Sequence, residues 1–163
     1  MKLAPAAIAI ILNEDRSQIL LVQRGDVPIW VLPGGGIETT ETAQEALVRE
    51  VWEETGFVVD IVRKCAEYTP VNRLAAFTTI FQCKIVGGKH TLSAESKAVA
   101  FFPLLGVTKV LLPLHMQWLQ ECLTHTTLIK RKLTEVSYIA VVKFLIMHPY
   151  HSLRYLWTRF SKK

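Results

Sequence analysis

The sequence predicts an α/β fold in which the strands of a mixed sheet surround at least two helices. Short apolar runs rich in β-branched residues recur between turn signals, and two longer stretches carry apolar residues at helical spacing. A chain of 163 residues, 50% hydrophobic and 20% charged, is long enough for one domain with a buried core. This composition excludes a disordered chain, and no stretch reaches the roughly 18–20 uninterrupted apolar residues that a membrane-spanning helix needs.

The first strands are predicted by apolar runs that end at turn residues. Residues 6–12 end at Asn13-Glu14-Asp15, and residues 19–23 form a second run, so the two strands can pair as a hairpin. Residues 29–32 form a third, short strand that stops at Pro33-Gly34-Gly35-Gly36. Three successive glycines let the backbone take positive φ angles and approach a ligand closely.

The first helix is predicted between residues 42 and 55. Thr42 and Glu45 have the spacing of a capping box, with Thr39 and Thr40 as alternative caps. The apolar residues recur at helical spacing and form one stripe, which consists of Leu47, Val48, Val51 and Trp52.

Downstream of this helix the pattern returns to strands and then to a second helix. Gly56 suits the position after the last helical turn. The predicted strands are residues 57–62, 75–86 and 97–102, with a turn at Gly87-Gly88. The second helix is predicted at residues 114–123, with Pro113 near its start.

The three cysteines predict unpaired thiols. Cys65, Cys83 and Cys122 form no CxxC pair, and an odd number matches no disulfide framework. Together with the lack of a recognisable signal peptide, this indicates reduced core thiols in a cytoplasmic protein.

The first helix also carries the residues that predict chemistry. Glu50, Glu53 and Glu54 stand at i, i+3 and i+4, so they fall within roughly a 100° arc of the helix. Carboxylates this close repel one another unless a cation lies among them, and Mg²⁺ or Mn²⁺ prefers oxygen ligands. Three glutamates alone are typical of a solvated face, but the glycine-rich segment before the helix adds backbone amides and carbonyls suited to pyrophosphate chemistry.

The whole segment resembles the Nudix box, G-x5-E-x7-R-E-U-x-E-E-x-G-U, in which U is a bulky apolar residue. Every fixed position matches, and Val51 and Phe57 fill the apolar positions. The resemblance extends over residues 4–123, with Thr40 standing where the family commonly has glycine. The fixed positions are Gly35, Glu41, Arg49, Glu50, Glu53, Glu54 and Gly56.

The resemblance implies an α/β/α sandwich that hydrolyses nucleoside diphosphates linked to a further group, with Mg²⁺ or Mn²⁺ as cofactor. By position, Glu50 and Glu54 are expected to be metal ligands, Glu53 a ligand or the catalytic base, and the carbonyl of Gly34 a further ligand.

Other residues are expected to support or complete the site. Arg49 can pair with Glu41 and so orient the metal ligands. Glu95, on the loop before a strand, is the candidate for a further catalytic base or ligand. The substrate, a nucleotide-derived small molecule, is expected to contact Arg24, Gly35 and Gly36.

The sequence leaves the substrate open. An RNA-end or dinucleoside-polyphosphate hydrolase is the alternative enzyme, and a catalytically weak nucleotide-binding sensor is the alternative outside enzymology. The complete set of glutamates argues against the sensor.

The net charge of +5 is concentrated in the C-terminal part of the chain. Residues 128–163 hold eight basic residues against one acid, and their apolar positions predict amphipathic helices at residues 136–147 and 153–160. The chain is therefore divided into a Nudix-like domain, residues 1–127, and a basic, helical C-terminal extension, residues 128–163. Three roles remain open for this extension: packing or a homodimer interface, contact of a cytoplasmic protein with an anionic membrane surface, and, as the least favoured, nucleic-acid binding.

Overall fold

The computed structural model describes residues 3–26, 28–91 and 96–137. The strands are β1 (Ala6–Ile11), β2 (Gln18–Arg24), β3 (Trp30–Val31), β4 (Gly34–Gly36), β5 (Phe57–Pro70), β6 (Thr78–Gly88), β7 (Ser96–Pro103) and β8 (Ile129–Leu133). The helices are α1 (Ala43–Thr55) and α2 (Pro113–Thr124), with a short 3-10 turn at Val107–Lys109.

These strands form two sheets, and the larger one is mixed as the sequence predicts. Its order is β4-β1-β6-β5-β8, in which β1 runs parallel to β6 and β5 runs parallel to β8. The smaller sheet has the order β3-β2-β7 and is antiparallel throughout.

The two helices cover opposite faces of the larger sheet, so the predicted α/β/α arrangement is confirmed. Alternate side chains of β1 point to opposite faces because the side-chain period of a strand is two residues. Ala7, Ala9 and Ile11 join the apolar cluster of α1. Ile8 and Ile10 join the cluster that contains Trp118 and Leu119 of α2.

The predicted hairpin of the first two strands is wrong. β1 and β2 lie in different sheets and share only one isolated bridge, between Leu12 and Ile19. β1 is an interior strand whose two edges already pair with β4 and β6, so β2 pairs with β3 and β7 instead.

The start of the C-terminal extension is also not helical. Ile129–Leu133 is strand β8, which pairs with β5 from Ala66 to Pro70 and buries Leu133 to 2% exposure. The alternation of partly buried Ile129 and Arg131 with exposed Lys130 and Lys132 is a strand pattern, although the basic residues of the segment conceal it in the sequence. The helices predicted at residues 136–147 and 153–160 lie outside the described residues, except for positions 136 and 137.

The prediction of three unpaired thiols is wrong for two of them. Cys65 on β5 and Cys122 on α2 form a disulfide, with their Cα atoms 5.4 Å apart, whereas Cys83 is free and buried. The two cysteines are 57 positions apart in the chain, so only the packing of α2 on β5 brings them together. Within the described residues, no helix is long and apolar enough to cross a membrane.

Candidate active site

Helix α1 is fixed at both ends by local interactions. The hydroxyl of Thr42 accepts a hydrogen bond from the amide of Glu45 at 3.3 Å, and the Glu45 carboxylate accepts one from the amide of Thr42 at 2.7 Å. At the other end Gly56 has φ 75°, the left-handed conformation that terminates many helices. The buried face of the helix consists of Ala46, Leu47, Val51 and Thr55.

Two carboxylates at the edge of this buried face meet the glycine strand β4. The amide of Gly34 donates a hydrogen bond to Oε2 of Glu54 at 2.9 Å. A Cβ atom on Gly35 would stand 2.4 Å from the carboxyl carbon of Glu50, so this carboxylate occupies the space that any larger residue would need. Gly35 therefore lets strand and helix approach closely enough for Glu50 to lie on the backbone of β4, whereas a Cβ atom on Gly34 would stand 2.2 Å from the carbonyl oxygen of Ala7 on β1.

Arg49 ties the helix to the segment before it. Its guanidinium donates to both carboxylate oxygens of Glu41, at 2.7 and 3.1 Å, and to the carbonyl of Gly36 at 3.1 Å. It also donates to Glu50 at 2.9 Å and to Glu53 at 3.1 Å. The hydrogen bond from Arg49 lowers the pKa of Glu41, and the bond to Glu41 in turn raises the pKa of Arg49.

The three glutamates do not all face the same way. The side chains of Glu53 and Glu50 are 47% and 15% exposed and both accept from Nη1 of Arg49, whereas Glu54 accepts from the amide of Gly34. Among residues 3–26, 28–91 and 96–137, no three histidine, cysteine, aspartate or glutamate side chains gather closely enough to hold a metal ion. Two carboxylates beside a backbone strand still suit Mg²⁺, which usually keeps several waters and takes one or two protein carboxylates together with substrate phosphates.

The other predicted site residues are less closely assembled. Arg24, at the end of β2, is bound in a two-point contact to Asp26, with distances of 2.9 and 2.7 Å, and its side chain is 53% exposed. Gly36 borders open space, since a Cβ atom there would meet nothing within 4 Å. Glu95 lies outside the described residues.

The chain that leads towards Glu95 is attached to the end of α1. The amide of Lys89 donates to the carbonyl of Gly56 at 3.2 Å, and the amide of Thr91 donates to the carbonyl of Thr55 at 3.0 Å. A Cβ atom on Gly56 or on Gly88 would stand 2.3 or 2.2 Å from a carbonyl oxygen, so both glycines are needed for this close approach.

His115 is a residue that the sequence did not indicate. Its Nδ1 accepts a hydrogen bond from the amide of Leu32 at 3.0 Å, directly before Pro33 and β4. Burial, together with the charge of Arg24, lowers the pKa of His115 to about 4. The two bonded residues are 83 positions apart, and no local pattern marks such a contact.

Comparisons with known proteins agree on one family. A profile described as the NUDIX domain matches residues 2–124. A MutT-like protein of Streptomyces ambofaciens is 37% identical over 92 residues, which are 56% of this chain and 58% of that protein. An ADP-ribose pyrophosphatase of Methanocaldococcus jannaschii is 31% identical over 114 residues, which are 66% of this chain and 68% of that protein. The crystal structure of an ADP-ribose pyrophosphatase from Streptococcus suis has a TM-score of 0.64 at 28% identity, and the match covers 79% of this chain and 98% of that one. The match to the Streptomyces relative spans less than two thirds of that protein's length.

Proposed function

The chain belongs to the Nudix family, and from this membership we propose that it is a divalent-metal-dependent hydrolase that cuts a phosphoanhydride bond in a nucleoside-diphosphate derivative. The observation that carries the proposal is the meeting of α1 and β4. There the carboxylates of Glu50 and Glu54 lie against the backbone of Gly35 and Gly34. This geometry offers oxygen donors at a surface where a chain of phosphates can approach backbone amides.

The cofactor of this proposal is Mg²⁺ or Mn²⁺. Glu50, Glu54 and the carbonyl of Gly34 would hold it, and it would offset charge on the bridging and leaving oxygens of the substrate. Arg49 keeps these ligands in place, because it binds Glu50 and anchors to Glu41 and to the backbone of Gly36.

We assign to Glu53 the task of taking a proton from the attacking water or of completing the metal ligands. Its side chain is 47% exposed, against 15% for Glu50, so it is the more accessible of the two to water. Its present partner Arg49 also binds Glu41 and Glu50, so Glu53 can turn away without leaving the guanidinium unpaired. Glu95 is the second candidate for the base.

The proposed substrate is a nucleoside diphosphate linked to a second group, and ADP-ribose is the first compound to test. Two relatives that cover most of the domain carry the name ADP-ribose pyrophosphatase. Arg24, Gly35 and Gly36 are the residues proposed to contact the phosphates.

The experiment is a hydrolysis panel with Mg²⁺ or Mn²⁺ that includes ADP-ribose, a UDP-sugar, a dinucleoside polyphosphate, 8-oxo-dGTP and 5′-triphosphorylated RNA. Running the reaction in ¹⁸O-labelled water identifies the phosphorus that is attacked, because the label appears in only one product. We expect metal-dependent turnover of at least one nucleoside-diphosphate derivative. Turnover of the RNA alone would favour the RNA-end reading, to which the basic C-terminal residues lend support. Nucleotide binding without turnover of any compound would favour a sensor.

For the C-terminal extension we propose contact with an anionic membrane surface, with a homodimer interface as the alternative. Lys130 and Lys132 of β8 are exposed, and Lys130 pairs with Glu67, whose carboxylate also binds Lys64. Co-sedimentation of the full chain with vesicles, with and without phosphatidylserine, tests the contact. Binding that is independent of the anionic lipid would contradict it, and a dimer in analytical ultracentrifugation would support the alternative.

A further inference from the structure

The start of α2 reaches across the fold to the segment that leads into β4. Pro113 occupies the first turn of the helix, and His115 follows on the side that faces β3. The imidazole Nδ1 accepts the amide hydrogen of Leu32, a residue that is 1% exposed. A buried backbone N–H needs a partner, and here that partner is a side chain from outside the Nudix box.

Leu32 is the last residue with an amide hydrogen before Gly34, because Pro33 has none. After it the segment is held at successive points: the carbonyl of Pro33 accepts from Ala9 at 2.8 Å, and the amide of Gly34 donates to Glu54. His115 therefore fixes the entry of a short segment whose next anchors are β1 and one of the proposed metal-binding carboxylates.

The ring of His115 is itself held in one orientation. It packs on the indole of Trp118, one helical turn away, with ring centres 4.8 Å apart. Nδ1 can accept the Leu32 amide hydrogen only when it carries no proton, so the neutral ring must hold its proton on Nε2. Burial favours this neutral form.

We propose that His115 is a positioning residue for the active site, which holds β4 against α1 through the amide of Leu32 and so sets the place of Gly34 beside Glu54. This role rests on the proposed hydrolase function, because it matters for catalysis only if Glu54 binds the metal. Its structural part, the hydrogen bond to Leu32, does not depend on any substrate.

Loss of this contact should affect metal use and turnover more than substrate affinity. Without the acceptor, the Leu32 amide is buried and unsatisfied, and the segment up to Gly34 gains freedom to shift relative to Glu54. A small misplacement of catalytic groups lowers kcat steeply, so we expect about a tenfold loss. KM for the nucleotide should change little, because His115 has no assigned contact with substrate.

Three variants test the proposal in the full chain. His115→Ala removes the acceptor, and His115→Asn restores one, because the amide oxygen of asparagine can take the place of Nδ1. His125→Ala is the matched control, since His125 is exposed and lies just after the C-terminal end of the same helix. The first readout is amide hydrogen exchange at Leu32 in metal-free protein, and the second is kcat, KM and the Mg²⁺ concentration for half-maximal rate.

We expect His115→Ala to speed Leu32 exchange about tenfold, to lower kcat and to raise the Mg²⁺ requirement, while His115→Asn stays close to wild type in all three. Unchanged Leu32 exchange in His115→Ala, or an asparagine variant as impaired as the alanine variant although folded, would overturn the proposal. If the wild type hydrolyses nothing, the proposed function fails, but Leu32 exchange still reports whether the hydrogen bond positions the segment.

Discussion

At the scale of single residues, the proposed chemistry depends on how closely one glycine lets the backbone of β4 approach a carboxylate. Gly35 and Gly36 are neighbours in one strand, but only Gly35 lies against a carboxylate, that of Glu50. Neither has a positive φ angle, so the backbone conformation does not disfavour alanine at either position. Substitutions at these two positions therefore distinguish the loss of space for Glu50 from a general effect of a side chain on strand β4.

We predict that Gly35→Ala raises the metal concentration needed for half-maximal rate by about tenfold or more, because the new methyl group displaces Glu50. Gly36→Ala should leave the metal response as in the wild type, because its methyl group meets open space. Metal titrations of turnover, together with isothermal calorimetry of metal binding, measure both effects. Equal metal responses of the two variants would contradict the assignment of Glu50 as a ligand.

His115 makes a separate prediction about pH. Its pKa falls from an ordinary value of 6.5 to about 4 on folding, because of burial and the charge of Arg24. Between these values the unfolded chain binds a proton that the folded chain does not. The free energy of unfolding is therefore unaffected by the titration of His115 above about pH 6.5 and decreases as the pH falls from there towards 4.

The expected loss from this one group is at most about 3 kcal/mol. Urea unfolding of wild type and His115→Asn from pH 7 to pH 4 measures it, because asparagine does not titrate. Between pH 7 and pH 4 the free energy of unfolding should decrease more for the wild type than for His115→Asn. Parallel curves would show that His115 titrates normally.

At the scale of elements, α1 is the part that local sequence determines most completely. Its N-cap, capping box and terminating glycine are all short-range features, and the structure has them where the sequence predicts them. Among the three threonines considered as caps, Thr42 makes the hydrogen bond to Glu45.

We therefore predict that Thr42→Ala destabilises the protein by about 1 kcal/mol, because it removes the partner of the Glu45 amide. Thr39→Ala, the same change at an exposed position just outside the helix, should cost less than about 0.5 kcal/mol. Thermal and urea unfolding give both values. A larger effect at Thr39 would show that the cap has been misassigned.

The strands were predicted less well, and β5 shows why. Its pairing with β6 shifts register at three points, and these shifts interrupt the regular alternation of its side chains between the two faces of the sheet. Val59 and Ile61 pack with the α1 cluster, whereas Cys65, Ala66 and Tyr68 pack with the α2 cluster. A bulge breaks the two-residue alternation on which a strand prediction depends, so the sequence indicated only the first part of β5.

At the scale of the whole molecule, packing against the larger sheet continues past residue 127, where the charge pattern changes. β8 closes one edge of the larger sheet, and Arg131 on it bonds Glu121 of α2 and Glu135 at 2.7 Å each. The hydroxyl of Tyr68 donates to the same Glu121 carboxylate. Burial acts to raise the pKa of Glu121, but the hydrogen bonds from Arg131 and Tyr68 outweigh it and the pKa is lowered.

We predict that a chain ending after residue 127 loses at least about 3 kcal/mol of stability, because β8 with its buried Leu133 and its ion pairs is removed. A chain ending after residue 137 keeps these contacts and should unfold at nearly the wild-type temperature. Scanning calorimetry of the two truncated chains decides between the domain boundary set by charge and the one set by packing. Equal unfolding temperatures would support the boundary at residue 127.

In the candidate site, too, contacts between neighbours in the sequence could be predicted and contacts between distant segments could not. Glu50, Glu54 and Arg49 belong to one contiguous motif, so their spacing on a helix could be read from the sequence. The contact of His115 with Leu32 and the pairing of Cys65 with Cys122 join residues far apart in the chain. Such contacts follow from the packing of α2, which no local pattern specifies.

The measurement that tests the central proposal most directly is metal-dependent hydrolysis of a nucleoside-diphosphate derivative by wild type, Glu54→Gln and Glu45→Gln. Glutamine at position 54 can still accept from the Gly34 amide, and glutamine at position 45 keeps the capping bond, so both variants should fold. We predict a loss of roughly a hundredfold or more in kcat for Glu54→Gln and almost none for Glu45→Gln. Metal-dependent turnover by Glu54→Gln at the wild-type rate would contradict the proposed site.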